Sequence, residues 1–137
     1  MARDSVRSGF VVLVGVVMVG FWSVLYLTGQ VPELATAPYE IGYHLVAEVA
    51  TALALVAAGV GRVTRRAWAA RLYPVALGAL GYTVVNSAGY YAQQGDLAMV
   101  AMFTTLTVAT LLLVGEYVTG RVERRSGSDG RTGEVRA

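Results

Sequence analysis

"SGFVVLVGVVMVGFWSVLYLT", Ser8 to Thr28, runs 21 residues without a charged side chain. At ~1.5 Å of rise per residue a helix of this length covers ~30 Å, the thickness of a bilayer's hydrocarbon core. Inside hydrocarbon each backbone amide must find its partner within its own segment, so a stretch of this kind is a helix. Three more stretches of similar length come after it, at about Glu40–Gly61, Leu72–Ala92 and Leu97–Thr119. The expected fold class is an all-α integral membrane protein, a bundle of four transmembrane helices over residues 1–120 with a cytoplasmic tail from 121 to 137.

Composition agrees with this reading. The chain has 137 residues, of which 55% are hydrophobic and 15% charged, more apolar surface than a soluble domain of this size can bury. It has no cysteine, which excludes disulfides, thiolate metal sites and cysteine nucleophiles. Span one starts after basic residues, and Ala35-Thr36-Ala37 resembles a signal-peptide cleavage site. The apolar run is longer than a signal core, however, and Pro38 comes directly after it, so span one is expected to be retained. Pro74 falls in the first turn of span three, where its missing N–H is tolerated.

The arginines orient the bundle. Arg3 and Arg7 precede span one; Arg62, Arg65, Arg66 and Arg71 join spans two and three; Arg121, Arg124, Arg125, Arg131 and Arg136 come after span four. The opposite loops, 29–39 and 93–96, carry none. The excess of basic residues on the cytoplasmic side then predicts a multi-pass plasma-membrane protein with both termini in the cytoplasm. That placement explains the net charge of +2 without nucleic acid as a partner. Arg121, Arg124 and Arg125 are suited to anionic lipid head groups or serve simply as topology determinants. The Gly/Ser/Asp/Arg/Glu tail from Ser126 has nothing to bury and is expected to be disordered.

An internal repeat is legible. "VATALALVAAGVGRVTRR" (49–66) and "VATLLLVGEYVTGRVERR" (108–125) match at nine of eighteen positions without a gap. This would make the protein two tandem helical hairpins related by an axis along the membrane normal. The alternative is two apolar helices with similar basic ends.

Span two opens with "YEIGYHLVAEVAT" (39–51), in which Glu40, the single histidine His44 and Glu48 succeed one another at four-residue steps. Such steps drift only ~40° around a helix, so the three share one face, with Glu48 ~12 Å deeper than Glu40. An isolated carboxylate in hydrocarbon costs at least ~2.5 kcal/mol, so Glu48 must be protonated, paired or wet. At matching depth, span three offers Asn86 and Tyr90 with Tyr82 and Gln93, span one offers Trp22, and span four offers Thr104 and Thr107. A polar ligand-binding pocket of Glu48, His44, Asn86, Tyr90 and Trp22 is expected in the outer half of the bundle. Ala57 and Gly61 are expected to be close-packing positions, and Glu116, at the cytoplasmic end of span four, to snorkel or pair with an arginine.

Four functions fit the seam. The leading one is an accessory or structural subunit, with the seam as a register-fixing network or an interface in a homo-oligomer or larger membrane assembly. The second is binding or transport of a cation or small ligand coupled to protonation of Glu48 and His44, since histidine titrates near neutrality. The third is a divalent metal ion (Zn²⁺, Mn²⁺ or Fe²⁺) held by Glu40, His44 and Glu48. The last is a membrane enzyme or quinone site with His44 and Glu48 as acid and base. The chain has no nucleophile or phosphate-binding motif, and one histidine cannot ligate haem from both sides, so an enzyme is the less favoured expectation.

Overall fold

A computed structural model of the chain describes residues 2–134, with side chains from 5 to 120. Five helices succeed one another: α1 (Ala2–Leu27), α2 (Glu33–Thr36), α3 (Pro38–Val63), α4 (Ala69–Gln93) and α5 (Leu97–Glu134). No strand occurs among the described residues. Three segments are long and apolar enough to cross a membrane: Ser5–Leu27, Pro38–Val63 and Leu97–Gly120. Helix α4 is as long, at 25 residues, but Gly, Asn, Ser, Tyr and Gln dilute its apolar content. The four-residue α2 lies inside the first loop and was not expected from the sequence. Helix α5 continues to Glu134 through the segment expected to be disordered; side chains from Arg121 on lie outside the described residues, so the expectations for lipid binding there fall outside them too.

The chain divides into two compact units, Met1–Thr83 and Val84–Ala137. The first is built on the antiparallel pairing of α1 and α3. Helix α1 turns Ser8, Val11, Val14 and Gly15 inward, and α3 turns Glu48, Thr51, Ala52, Leu55, Ala58 and Gly59 inward, each set at three- and four-residue steps. Glycine makes the approach close. A Cβ added at Gly15 would stand 2.7 Å from the Ala52 carbonyl oxygen, and one at Gly59 would stand 2.8 Å from the Ser8 carbonyl oxygen and collide with Val12. The opposite face of α1, with Leu13, Val16, Val17 and Val24, is exposed, as a lipid-facing stripe must be. Lipid tails are as apolar as leucine, so the pair is held by van der Waals contact rather than by removal of apolar surface from water.

Gly59, not Ala57, is the α3 position in closest contact with α1. Gly61 does fit tightly, but against Trp68 and Ala69 in the connection to α4. That connection is a compact turn. Arg66 N–H donates to the Gly61 carbonyl at 2.7 Å, and Arg65 takes the left-handed conformation (φ 56°) that usually belongs to glycine at a helix C-terminus. The Arg62 guanidinium lies 4.2 Å above the centre of the buried Tyr73 ring. The α1–α3 register puts Arg7 at the same end of the pair as Arg62–Arg66, and residues 28–37 at the other.

In the second unit Gly95 (φ 73°) ends α4, and Asp96 caps α5 by accepting from Met99 N–H at 3.1 Å. The Tyr91 ring stacks on Phe103 (5.6 Å between centroids) and meets Tyr90 edge-on at 5.2 Å. The hydroxyls of Thr105, Thr107 and Thr110 donate to backbone carbonyls one turn earlier in α5. These threonines therefore satisfy themselves within their own helix.

Candidate functional site

The polar cluster forms where α1 and α3 face each other toward the end that holds the first loop. Glu48 is the most buried ionisable side chain described there, 6% exposed. It is buried because it occupies the α3 stripe that continues through Thr51, Ala52 and Leu55 against α1. Trp22 is the residue of α1 opposite it, and its indole Nε1 donates to Glu48 Oε2 at 3.4 Å, a long bond. One turn closer to the first loop, His44 Nε2 stands 3.9 Å from the other oxygen, Oε1. That spacing is within ion-pair range and beyond hydrogen-bond distance. The Trp22 and His44 rings meet edge to face, with centroids 5.6 Å apart and planes at 68°, so the indole fixes both the carboxylate and the imidazole.

The consequence is an unfinished site. Oε1 of Glu48 is buried and accepts no hydrogen bond. A buried acceptor without a donor is costly, and the cost falls when a proton or a cation occupies the gap. His44 differs from Glu48 in access: its side chain is 30% exposed against 7%. From the start of α3 at Pro38, His44 is ~9 Å along the helix and Glu48 ~15 Å, so the imidazole stands between the carboxylate and the loop end.

Of the residues expected in the pocket, the first unit brings together Trp22, His44 and Glu48. Glu40 lies in the first turn of α3 and is exposed. Among the described residues no three His, Asp or Glu side chains are grouped to hold one metal ion, so Glu40 does not complete a metal set with the other two. Asn86 and Tyr90 belong to the second unit, where Asn86 is exposed and Tyr90 is engaged with Tyr91. Glu116 is exposed on α5 and has a partner. Reasoning from sequence missed the part played by Gly15 and Gly59, which bring α1 and α3 close enough for an indole to reach a carboxylate. Their signal was the coincidence of a glycine on each helix at the same depth.

No curated protein and no solved structure matches this chain. A family model, described as Domain of unknown function (DUF8058), matches residues 1–128, and the chain belongs to that family.

Proposed function

We propose that this is a four-span protein of the plasma membrane, with both termini in the cytoplasm, that binds a monovalent cation in exchange for a proton at Glu48. The observation that carries this reading is the buried Glu48 carboxyl, with one oxygen engaged by Trp22 and the other unpartnered beside His44. Charge balance selects the ligand. A protonated Glu48 is neutral, and so is a carboxylate paired with one monovalent cation; the exchange leaves no net charge in the low-dielectric interior, where an unpaired charge is expensive. A divalent ion would leave one positive charge uncompensated with a neutral His44. The Trp22 ring adds a face suited to a cation.

The topology is supported by the arrangement of arginines. Arg7 and Arg62–Arg66 share one end of the α1–α3 pair. With α4 as a further span, Arg121 and the tail return to that same side. Its stretch from Leu72 to Gln93 is free of charged residues and long enough.

The test is proton release. Protein in lipid nanodiscs, lightly buffered with a pH dye, is mixed with sodium, potassium or tetraethylammonium chloride. The expected result is saturable release of roughly one proton per chain for one of these cations, lost in Glu48→Gln. Absence of release with all three would refute cation exchange. A second reading, an accessory subunit with a structural seam, is favoured by the Trp22–Glu48 bond that ties α1 to α3. Under it, Glu48→Gln changes thermal stability or co-purification of a partner and nothing else.

A further inference from the structure

We infer that the Glu48 site exchanges protons and cations with the outer aqueous phase alone, through His44, and is closed toward the cytoplasm by the glycine contact of α1 with α3. The inference rests on the cation-exchange reading and on its orientation, and adds to them which side of the membrane the site serves.

The two directions out of Glu48 are built differently. Toward the first loop the next inward position one turn away is His44, an imidazole whose side chain is 30% exposed. It lies ~9 Å from the start of α3, within reach of the water-rich head-group layer. An imidazole carries a proton on one nitrogen and accepts on the other, so it passes protons between that layer and the Glu48 oxygen it faces. Toward the cytoplasm the path is apolar and dry. Ala52, Leu55 and Ala58 of α3 and Val11 of α1 are each 0–1% exposed. The backbones touch at Gly15 and again at Gly59, where not even a methyl group fits. Two full turns of this contact leave no polar side chain between Thr51 and Ser8 on the buried faces.

The ionisable groups on the packed elements agree with one-sided access. On α3 they are His44 and Glu40, both on the loop side of Glu48; on α2, which packs on α3, there is Glu33, also on the loop side. On α1 the nearest are Tyr26 on the loop side and Arg7 at the far end, beyond the glycine contact. No charged or titratable group of these three helices lies between Glu48 and Arg62 or Arg7. In the state described, the site is a cup open to one side rather than a channel.

The experiment uses Trp22 itself. The chain has two tryptophans, so Trp68→Phe leaves Trp22 as the sole emitter beside Glu48. The full chain is sealed into unilamellar vesicles, and molecules of one orientation are scored by tryptic access to the arginine-rich C-terminus. A rapid pH jump is applied to one face at a time and Trp22 emission is monitored. A prompt change on an outer-face jump, a lag on a cytoplasmic-face jump until pH equilibrates, and a slower outer response in His44→Ala are expected. A prompt response to the cytoplasmic face, alone or equal to the outer one, overturns the inference and leaves proton binding intact. A flat signal from both faces, indistinguishable from Glu48→Gln, overturns proton binding and the inference with it. Because Gly61 packs on Trp68, the phenylalanine variant can be replaced by reading the infrared carbonyl band of protonated Glu48 in unsubstituted protein, with Glu48→Gln as the blank.

Discussion

Glu48 and Trp22 are joined by one long hydrogen bond, and substitutions there separate charge from packing. Glu48→Gln keeps an oxygen for the Trp22 N–H and removes the chance of burying a charge, so thermal stability in detergent is expected to stay at or above that of the wild type. Glu48→Ala strands a half-buried indole N–H and opens a void, at a cost of about 1–3 kcal/mol. A double-mutant cycle of Trp22→Phe with Glu48→Gln, read by unfolding in mixed micelles, is expected to give a coupling of roughly 0.6 kcal/mol, and no more than ~1.7. Coupling indistinguishable from zero would mean that the bond does not hold the cluster. The pairing of His44 with Glu48 was legible in the sequence, because residues four apart on a helix are neighbours whatever surrounds them. Trp22 was reached by matching depth along antiparallel helices. Depth fixes height in the membrane and not azimuth around the bundle, so Asn86 and Tyr90 could be placed level with Glu48 from sequence without being placed against it.

At the scale of the helices, the α1–α3 contact is the most demanding feature. A methyl group at Gly15 meets a backbone oxygen, and one at Gly59 meets backbone and side chain of α1; neither neighbour is the free end of a flexible side chain. Gly15→Ala and Gly59→Ala are therefore each expected to lower stability by about 1–3 kcal/mol. Gly20→Ala on the same helix meets nothing within 4 Å, and its better helix propensity should raise stability by up to ~1 kcal/mol. Thermal unfolding of the three variants side by side checks the register: equal behaviour of Gly15→Ala and Gly20→Ala would show that α1 does not present this face. The apolar spans were readable from length and charge alone. Their contact faces were not, because α1 and α3 are rich in small residues all round and a 3.6-residue period marks no preferred stripe. Ala57–Gly61 fitted the small-xxx-small pattern as well as any pair, and the tight turn at Arg65–Trp68 claimed Gly61 instead.

For the molecule as a whole, the open structural question is α4, and the cysteine-free sequence makes it answerable. The arginine distribution requires an even number of crossings between the 62–71 connection and the 121–136 tail, and α5 supplies one. Helix α4 must supply the other, despite carrying Asn86, Ser87 and several tyrosines in its second half. Polar groups of this kind are tolerated in a span when another helix or the interface satisfies them, and Tyr90 and Tyr91 fall where aromatic residues favour the interface. Single cysteines at Thr36, Ala67 and Gln94 read the path directly. With a membrane-impermeant maleimide on intact cells, Thr36→Cys and Gln94→Cys are expected to label and Ala67→Cys only after lysis. If Gln94→Cys labels only with Ala67→Cys, α4 lies along the cytoplasmic surface, the parallel-hairpin repeat of 49–66 with 108–125 loses its geometry, and α5 crosses in the opposite sense. The repeat already has a local asymmetry to explain: its first copy stops at Val63 in a tight turn, whereas its second continues as helix through Arg125. A Gln94 label from outside would place both copies running inward to a basic end. The asymmetry would then come from the different tasks of the two ends: the first copy must turn sharply into the next span, whereas the second has no further span to enter.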